Sequence, residues 1–185
     1  MMQFSPPTLG RFLASPLLAA AILGFAPNSA FAQFCGCTGN ISAYCTSGTS
    51  VHGCVPSISG AGVPNVLAPS GFDLVVSNVP GQRTGLMFYG TSFIPQPQPW
   101  ALGSSSYLCV YYPVARTGVR SSGGAAGSCN GELRTDFNAF MAANPSAMGG
   151  PFTVGQQFCA QGWYRDPGAA KGTNLSNGLR FALCN

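Results

Sequence analysis

Apolar positions 72, 74 and 76 alternate with Asp73 and Ser77, the two-residue period of a strand with one covered face. The polar and Gly/Pro residues at 78–81 end it. The same period returns at Leu133, Thr135 and Phe137. Short apolar runs at 86–89, 156–165 and 179–184 sit between clusters of Gly, Pro, Ser and Asn, and a further strand is expected near 56–60. Residues 107–112 are apolar throughout, which predicts a central strand. Residues 94–100 carry three prolines, which lack backbone donors, and read as an extended polyproline-type surface connector rather than a ladder strand. Residues 118–131 are Gly/Ser-rich and read as a loop. Helical periodicity is confined to 137–144, closed by Pro145, at most two turns. The pattern therefore predicts an all-β fold: an antiparallel β-sandwich of about seven strands with at most one short helix.

The N-terminus reads differently. Arg11, the largely apolar run at 12–25 and Ala30-Phe31-Ala32 form the three parts of a secretory signal, cleaved after Ala32. The run falls short of the roughly 20 residues a membrane span needs, and no later stretch reaches that length. The expected organisation is a signal peptide at 1–32, a Cys-rich N-terminal segment at 33–55 and a β-sandwich domain at 56–185. The expected location is secreted or cell-surface. Phe34 before Cys35 lacks the small residue of a lipoprotein signal.

All eight cysteines follow the signal, and in an oxidising compartment an even count reads as disulfides. Cys45 and Cys54 enclose a short Thr/Ser/Gly loop, and Cys109 and Cys129 enclose a longer one, so local bridges Cys45–Cys54 and Cys109–Cys129 are expected. Pairing Cys159 with Cys184 would set a final hairpin in which opposed residue numbers sum to 343. Trp163 would then face Arg180 in a cation–π pair on a wet face, with Phe158, Ala160, Tyr164, Phe181 and Leu183 in the core. Cys35 and Cys37 are too close for an unstrained mutual bridge, and their partners stay open. Cys35, Cys37, Cys45 and Cys54 lack the C-x2-C spacing of zinc knuckles, so no metal and no other cofactor is expected.

Charge narrows the function classes. Without the signal, seven Lys/Arg face four acids, a formal +3 with one histidine. The basic residues form no run or stripe, which leaves no nucleic-acid footprint. Four acids and His52 are a poor inventory for acid–base catalysis, and no G-x-S-x-G elbow occurs. Glu132 and Asp136 fall four apart on one strand, with Arg134 assigned to the other face, and give no glycosidase pair. Asp166-Pro167-Gly168 reads as a turn, and Asn174, in an Asn-Leu-Ser sequon, as part of the turn before the last strand. No catalytic residue is assigned.

Several segments carry a resemblance: Tyr44-Cys45-Thr46-Ser47-Gly48-Thr49-Ser50, Gly81-Gln82-Arg83-Thr84-Gly85, Leu108-Cys109-Val110, and above all Trp163-Tyr164-Arg165-Asp166-Pro167 with Asn174-Leu175-Ser176. Over residues 44–183 the chain resembles an uncharacterised family of secreted, disulfide-containing bacterial domains abundant in planctomycetes. The resemblance implies an extracellular domain and supplies no catalytic or ligand residue. The expected function is a non-catalytic secreted or cell-surface structural or interaction domain, with a surface polysaccharide or another extracellular protein as partner. The alternative is a carbohydrate-binding module stacking sugars on exposed aromatics, with Trp100, Trp163, Arg165 and Arg180 as candidate ligand-binding residues. A secreted hydrolase comes third.

Overall fold

The computed structural model describes residues 40–185. Residues 1–39, and with them the expected signal peptide, Cys35 and Cys37, lie outside the described residues. The strands are β1 (Ser42–Tyr44), β2 (Ser57–Gly62), β3 (Phe72–Val79), β4 (Thr84–Gly90), β5 (Phe93–Pro99), β6 (Tyr107–Val110), β7 (Ala115–Arg116), β8 (Arg120–Ser121), β9 (Gly131–Asp136), β10 (Gln157–Arg165) and β11 (Thr173–Ala182), with one α-helix, α1 (Phe137–Ala143). No helix among them is long and apolar enough to cross a membrane.

Two antiparallel sheets face each other. The larger runs β1-β11-β10-β4-β7, with β8 also paired to β4, and the smaller runs β2-β3-β9. Between them lies the core. Ile58, Phe72, Leu74, Val76 and Leu133 from the smaller sheet meet Met87, Tyr89, Phe158, Tyr164, Leu179 and Phe181 from the larger. Helix α1 closes one end. Its N-cap is Asp136, whose Oδ1 accepts from Ala139 N at 2.9 Å. Phe137 inserts its ring among Tyr89, Phe158 and Phe181, with centroids 5.1, 5.7 and 5.2 Å away. Edge-to-face pairs of this kind add to plain area burial. The all-β sandwich and the short helix are thus as the pattern predicts, with additional short strands. Strand β1 pairs with β11, so part of the Cys-rich N-terminal segment is built into the larger sheet.

A third layer was not foreseen. Strands β5 and β6 form a separate two-stranded ribbon. The proline segment is therefore a strand, but a broken one. Phe93 pairs with Val110 and Gln98 with Leu108, so five steps on β5 oppose two on β6. Pro95 and Pro97 sit in that bulge, where no ladder donor is needed, and Pro99 sits at the strand end. Residues 107–112 are not a central strand: β6 stops at Val110, and Tyr111 and Tyr112 are exposed.

The disulfides are long-range rather than local, and one of them staples this ribbon. Cys45 bridges Cys109 and Cys54 bridges Cys129. Cys159 is a buried free thiol, and Cys184 is disulfide-bonded elsewhere. All three expected pairings are thus replaced. The bridges close loops with separations of 64 and 75 residues. By loop-closure entropy each constrains the unfolded chain by about 4 kcal/mol, more than a local bridge would.

The last hairpin also differs in register. Phe158 faces Phe181 and Cys159 faces Arg180, a slip of four residues from the expected pairing. An even slip keeps each side chain on its own face, so Phe158, Ala160, Tyr164, Leu179, Phe181 and Leu183 are buried as expected. Strand β11 begins at Thr173, well before residue 179. Its polar first half is matched by the loop after β1. Asn177 N donates to Ser47 Oγ at 2.7 Å, Asn177 Oδ1 accepts from Ile58 N at 2.9 Å, and Gly48 N donates to Leu175 O at 3.0 Å. A bulge falls at Gly162, where a Cβ would sit 2.6 Å from Val76 Cγ2. Gly162 lies beside Met87 of β4, not under the Phe181 ring.

Candidate binding groove

The outer face of the larger sheet is the one expected to be wet. Instead Cys159 and Gln161 are buried there, because the β5–β6 ribbon lies across it. Gln161 ties the layers together. Its Oε1 accepts from Cys109 N at 3.1 Å, and its Nε2 donates to Tyr107 O at 2.7 Å and Ser176 O at 2.6 Å. Tyr44 OH donates to Cys109 O at 3.1 Å. Burial raises the Tyr44 hydroxyl and the Cys159 thiol above their usual pKa ranges, so neither is an activated nucleophile.

Beside the ribbon the cover is incomplete and leaves a groove of about 420 Å³. Its floor is Leu86 and Phe88 of β4 and Trp163 of β10, with Leu108 of β6 and Val114 on its sides. Trp100, just after β5, supplies one wall; its Nε1 donates to Thr173 Oγ1 at 2.9 Å. Tyr112, Arg116 and Lys171 complete the lining. Lys171 Nζ stands 3.9 Å from the centroid of the Trp100 ring, and Arg165 Cζ 5.5 Å from that of Trp163. Arg116 pairs with Phe88 across β7 and β4.

Of the four candidate residues, the structure brings Trp100 and Trp163 into one groove and sets Arg165 beside Trp163. Arg180 is elsewhere, with Cζ 5.4 Å from the Phe93 ring, and does not pair with Trp163. Sequence reasoning missed Lys171 and Arg116. Lys171 lies in a 3-10 turn (Ala170–Gly172) at φ 70°, and its charge alone marks no site. No family model, curated protein or solved structure matches the chain.

The acids all lie outside the lining of this groove. Asp73 and Glu132 each contact Arg134 at 3.0 Å. Arg134 lies on their face of β9 rather than the opposite one, since 132, 134 and 136 share the strand period. Asp136 caps α1 and also accepts from Gly71 N at 2.8 Å. Asp166 is fully buried; its Oδ2 accepts from Val51 N at 3.1 Å and Asn174 Nδ2 at 3.4 Å while its Oδ1 has no hydrogen-bond partner among the described residues, and Asn174 is a buried strand residue rather than a turn residue. His52 Nε2 accepts from Arg83 Nη2 at 2.9 Å. A guanidinium, which only donates, thus occupies the nitrogen a general base would use. Among the described residues no three His, Cys, Asp or Glu side chains gather as a metal site.

Proposed function

We propose that this chain is an exported, non-catalytic binding domain whose ligand enters the groove between the β5–β6 ribbon and the outer face of β4 and β10. The observation that carries this reading is the meeting of Trp100 and Trp163 in one apolar groove of ligand-sized volume. Export is supported by Arg11, the apolar run and the Ala-Phe-Ala site, and by two disulfides closed in the described chain, which is the chemistry of an oxidising compartment. The partner is an extracellular molecule, either a small ligand or an exposed group of a surface polysaccharide or protein. The non-catalytic reading is supported by a groove lining without Asp, Glu or His and by His52 facing Arg83.

Carbohydrate binding is the second reading, favoured by the same two tryptophans. Against it, the Lys171 ammonium already covers the Trp100 ring. The test is a titration of the oxidised 33–185 chain with a glycan panel and a set of small aromatic and aliphatic acids, amides and alcohols, followed by tryptophan fluorescence. Binding that weakens at least tenfold in Trp163→Ala is expected. Binding untouched by Trp100→Ala and Trp163→Ala, or turnover of a hydrolase substrate abolished by His52→Ala, would overturn the reading.

A further inference from the structure

We infer that the groove selects an apolar carboxylate: an aromatic ring or short hydrocarbon body bearing one negative charge. This rests on the groove being the binding site. Its body-contacting surface is Leu86, Phe88, Leu108 and Trp163, which offer dispersion and area burial and, apart from the Trp163 indole N–H donor, no side-chain hydrogen bonds. Its charged groups are Lys171 and Arg116, both cations. No Asp, Glu, Asn or Gln lines it. A neutral sugar presents hydroxyl donors around its ring, and the lining offers them few side-chain acceptors, the exposed Tyr112 hydroxyl and Thr173 Oγ1. Thr173 Oγ1, the one hydroxyl oxygen among the non-aromatic lining residues, already accepts from Trp100.

The charge pattern is specific to this face. Among the described residues the four acids sit in an ion-pair cluster with Arg134, at the α1 N-cap and in a buried turn. None of them is within ion-pair distance of Lys171, Arg116 or Arg165, since the described ion pairs are those of Arg134. Three cations thus share a face without counter-charge, and the anion they complement is the ligand's. Lys171 rests on the Trp100 ring at 3.9 Å. A carboxylate placed between Lys171 and Arg116 gives that ammonium a full charge to bind while its stem stays on the ring, and the ligand body lies along Phe88 and Trp163.

The test uses the oxidised 33–185 chain, ¹⁵N-labelled. Its two tryptophans give two indole N–H signals that report the groove directly. Three probes are titrated: 2-naphthoate, the isosteric neutral 2-naphthamide, and oligogalacturonate, a polar anion. The expected result is that naphthoate moves both signals with a Kd at least tenfold below that of naphthamide. That advantage should shrink in 0.5 M NaCl and vanish in Lys171→Met/Arg116→Met. Equal affinities for naphthoate and naphthamide overturn the charge selection and leave the groove intact. Tighter binding of oligogalacturonate overturns the apolar body. If no probe moves either signal, the groove itself is not the site.

Discussion

Replacing Gln161 by Met keeps the side-chain volume and removes every polar link its amide makes between the larger sheet and the ribbon. Gln161 is fully buried, and so is Cys109. The change leaves Cys109 N–H without its acceptor and removes one donor each from Tyr107 O and Ser176 O. A buried polar group stripped of its partner costs about 1–3 kcal/mol. A carbonyl has two lone pairs, so Tyr107 and Ser176 belong near the lower end, and the three together come to about 4 kcal/mol. Burying a thioether in place of an amide returns about 1 kcal/mol. The expected net loss is therefore about 3 kcal/mol, read as a lower urea midpoint at unchanged slope in the oxidised chain. Gln157→Met is the control, because Gln157 begins the same strand in an exposed position and should stay within about 0.5 kcal/mol of the parent. If Gln161→Met moves the midpoint no further than Gln157→Met, the amide is not what holds the ribbon down, and the floor of the groove is secured some other way.

Three further outcomes follow from the described contacts. Mass spectrometry of unreduced peptides should link Cys45 to Cys109 and Cys54 to Cys129, and Cys45→Ala/Cys109→Ala should lose about 4 kcal/mol by loop-closure entropy; a Cys45–Cys54 link would refute both. Gly162→Ala should destabilise by about 1–3 kcal/mol in urea titration, since the added methyl meets Val76 Cγ2 at 2.6 Å. Burial lifts Tyr44, Tyr89 and Tyr164 above the ordinary 10.0, Tyr89 to about 12. Below pH 10 these hydroxyls are neutral in both states. Above it the unfolded chain releases protons that the folded chain retains, so stability should fall with a slope approaching about 1.4 kcal/mol per pH unit for each tyrosine, and a flat profile from pH 10 to 11.5 would contradict their burial.

Periodicity made the two facing sheets legible. The alternation at 72, 74 and 76 and the face parity of 156–165 and 179–184 hold in the structure. Register did not follow, because it was drawn from a Cys159–Cys184 bridge that does not form. A four-residue slip conserves every face, so hydrophobic pattern cannot detect it. The start of β11 was hidden because Asn174, Ser176 and Asn177 look like loop residues. They are strand residues whose polar atoms are met at long range, those of Asn174 and Asn177 by Thr49 and Ser47 and those of Ser176 by Gln161 and Gly162 of β10, a match that no local signal carries. The ribbon was hidden for the opposite reason: Tyr107 to Val110 resembles a central strand, yet Tyr107 and Leu108 pack on the sheet's outer face and pair only with a proline-rich edge. The tryptophans of the groove were legible as exposed aromatics, whereas their two cationic neighbours became a site only when β7 and the Ala170–Gly172 turn were brought beside them.

The cysteines of the Cys45–Cys109 and Cys54–Cys129 bridges come in the order 45, 54, 109, 129, so these two bridges interleave. Every peptide bond between residues 45 and 129 is therefore spanned by at least one of them, and every bond between 54 and 109 by both. Local bridges would have left the stretch from 54 to 109 unspanned. A protease that cuts the ribbon tip at Leu102, which is completely exposed, opens the backbone and frees no fragment. The two halves stay joined by two covalent links, with the strands on either side still in their sheets. The chain can thus be nicked at its most accessible loop and remain one molecule until it meets a reductant.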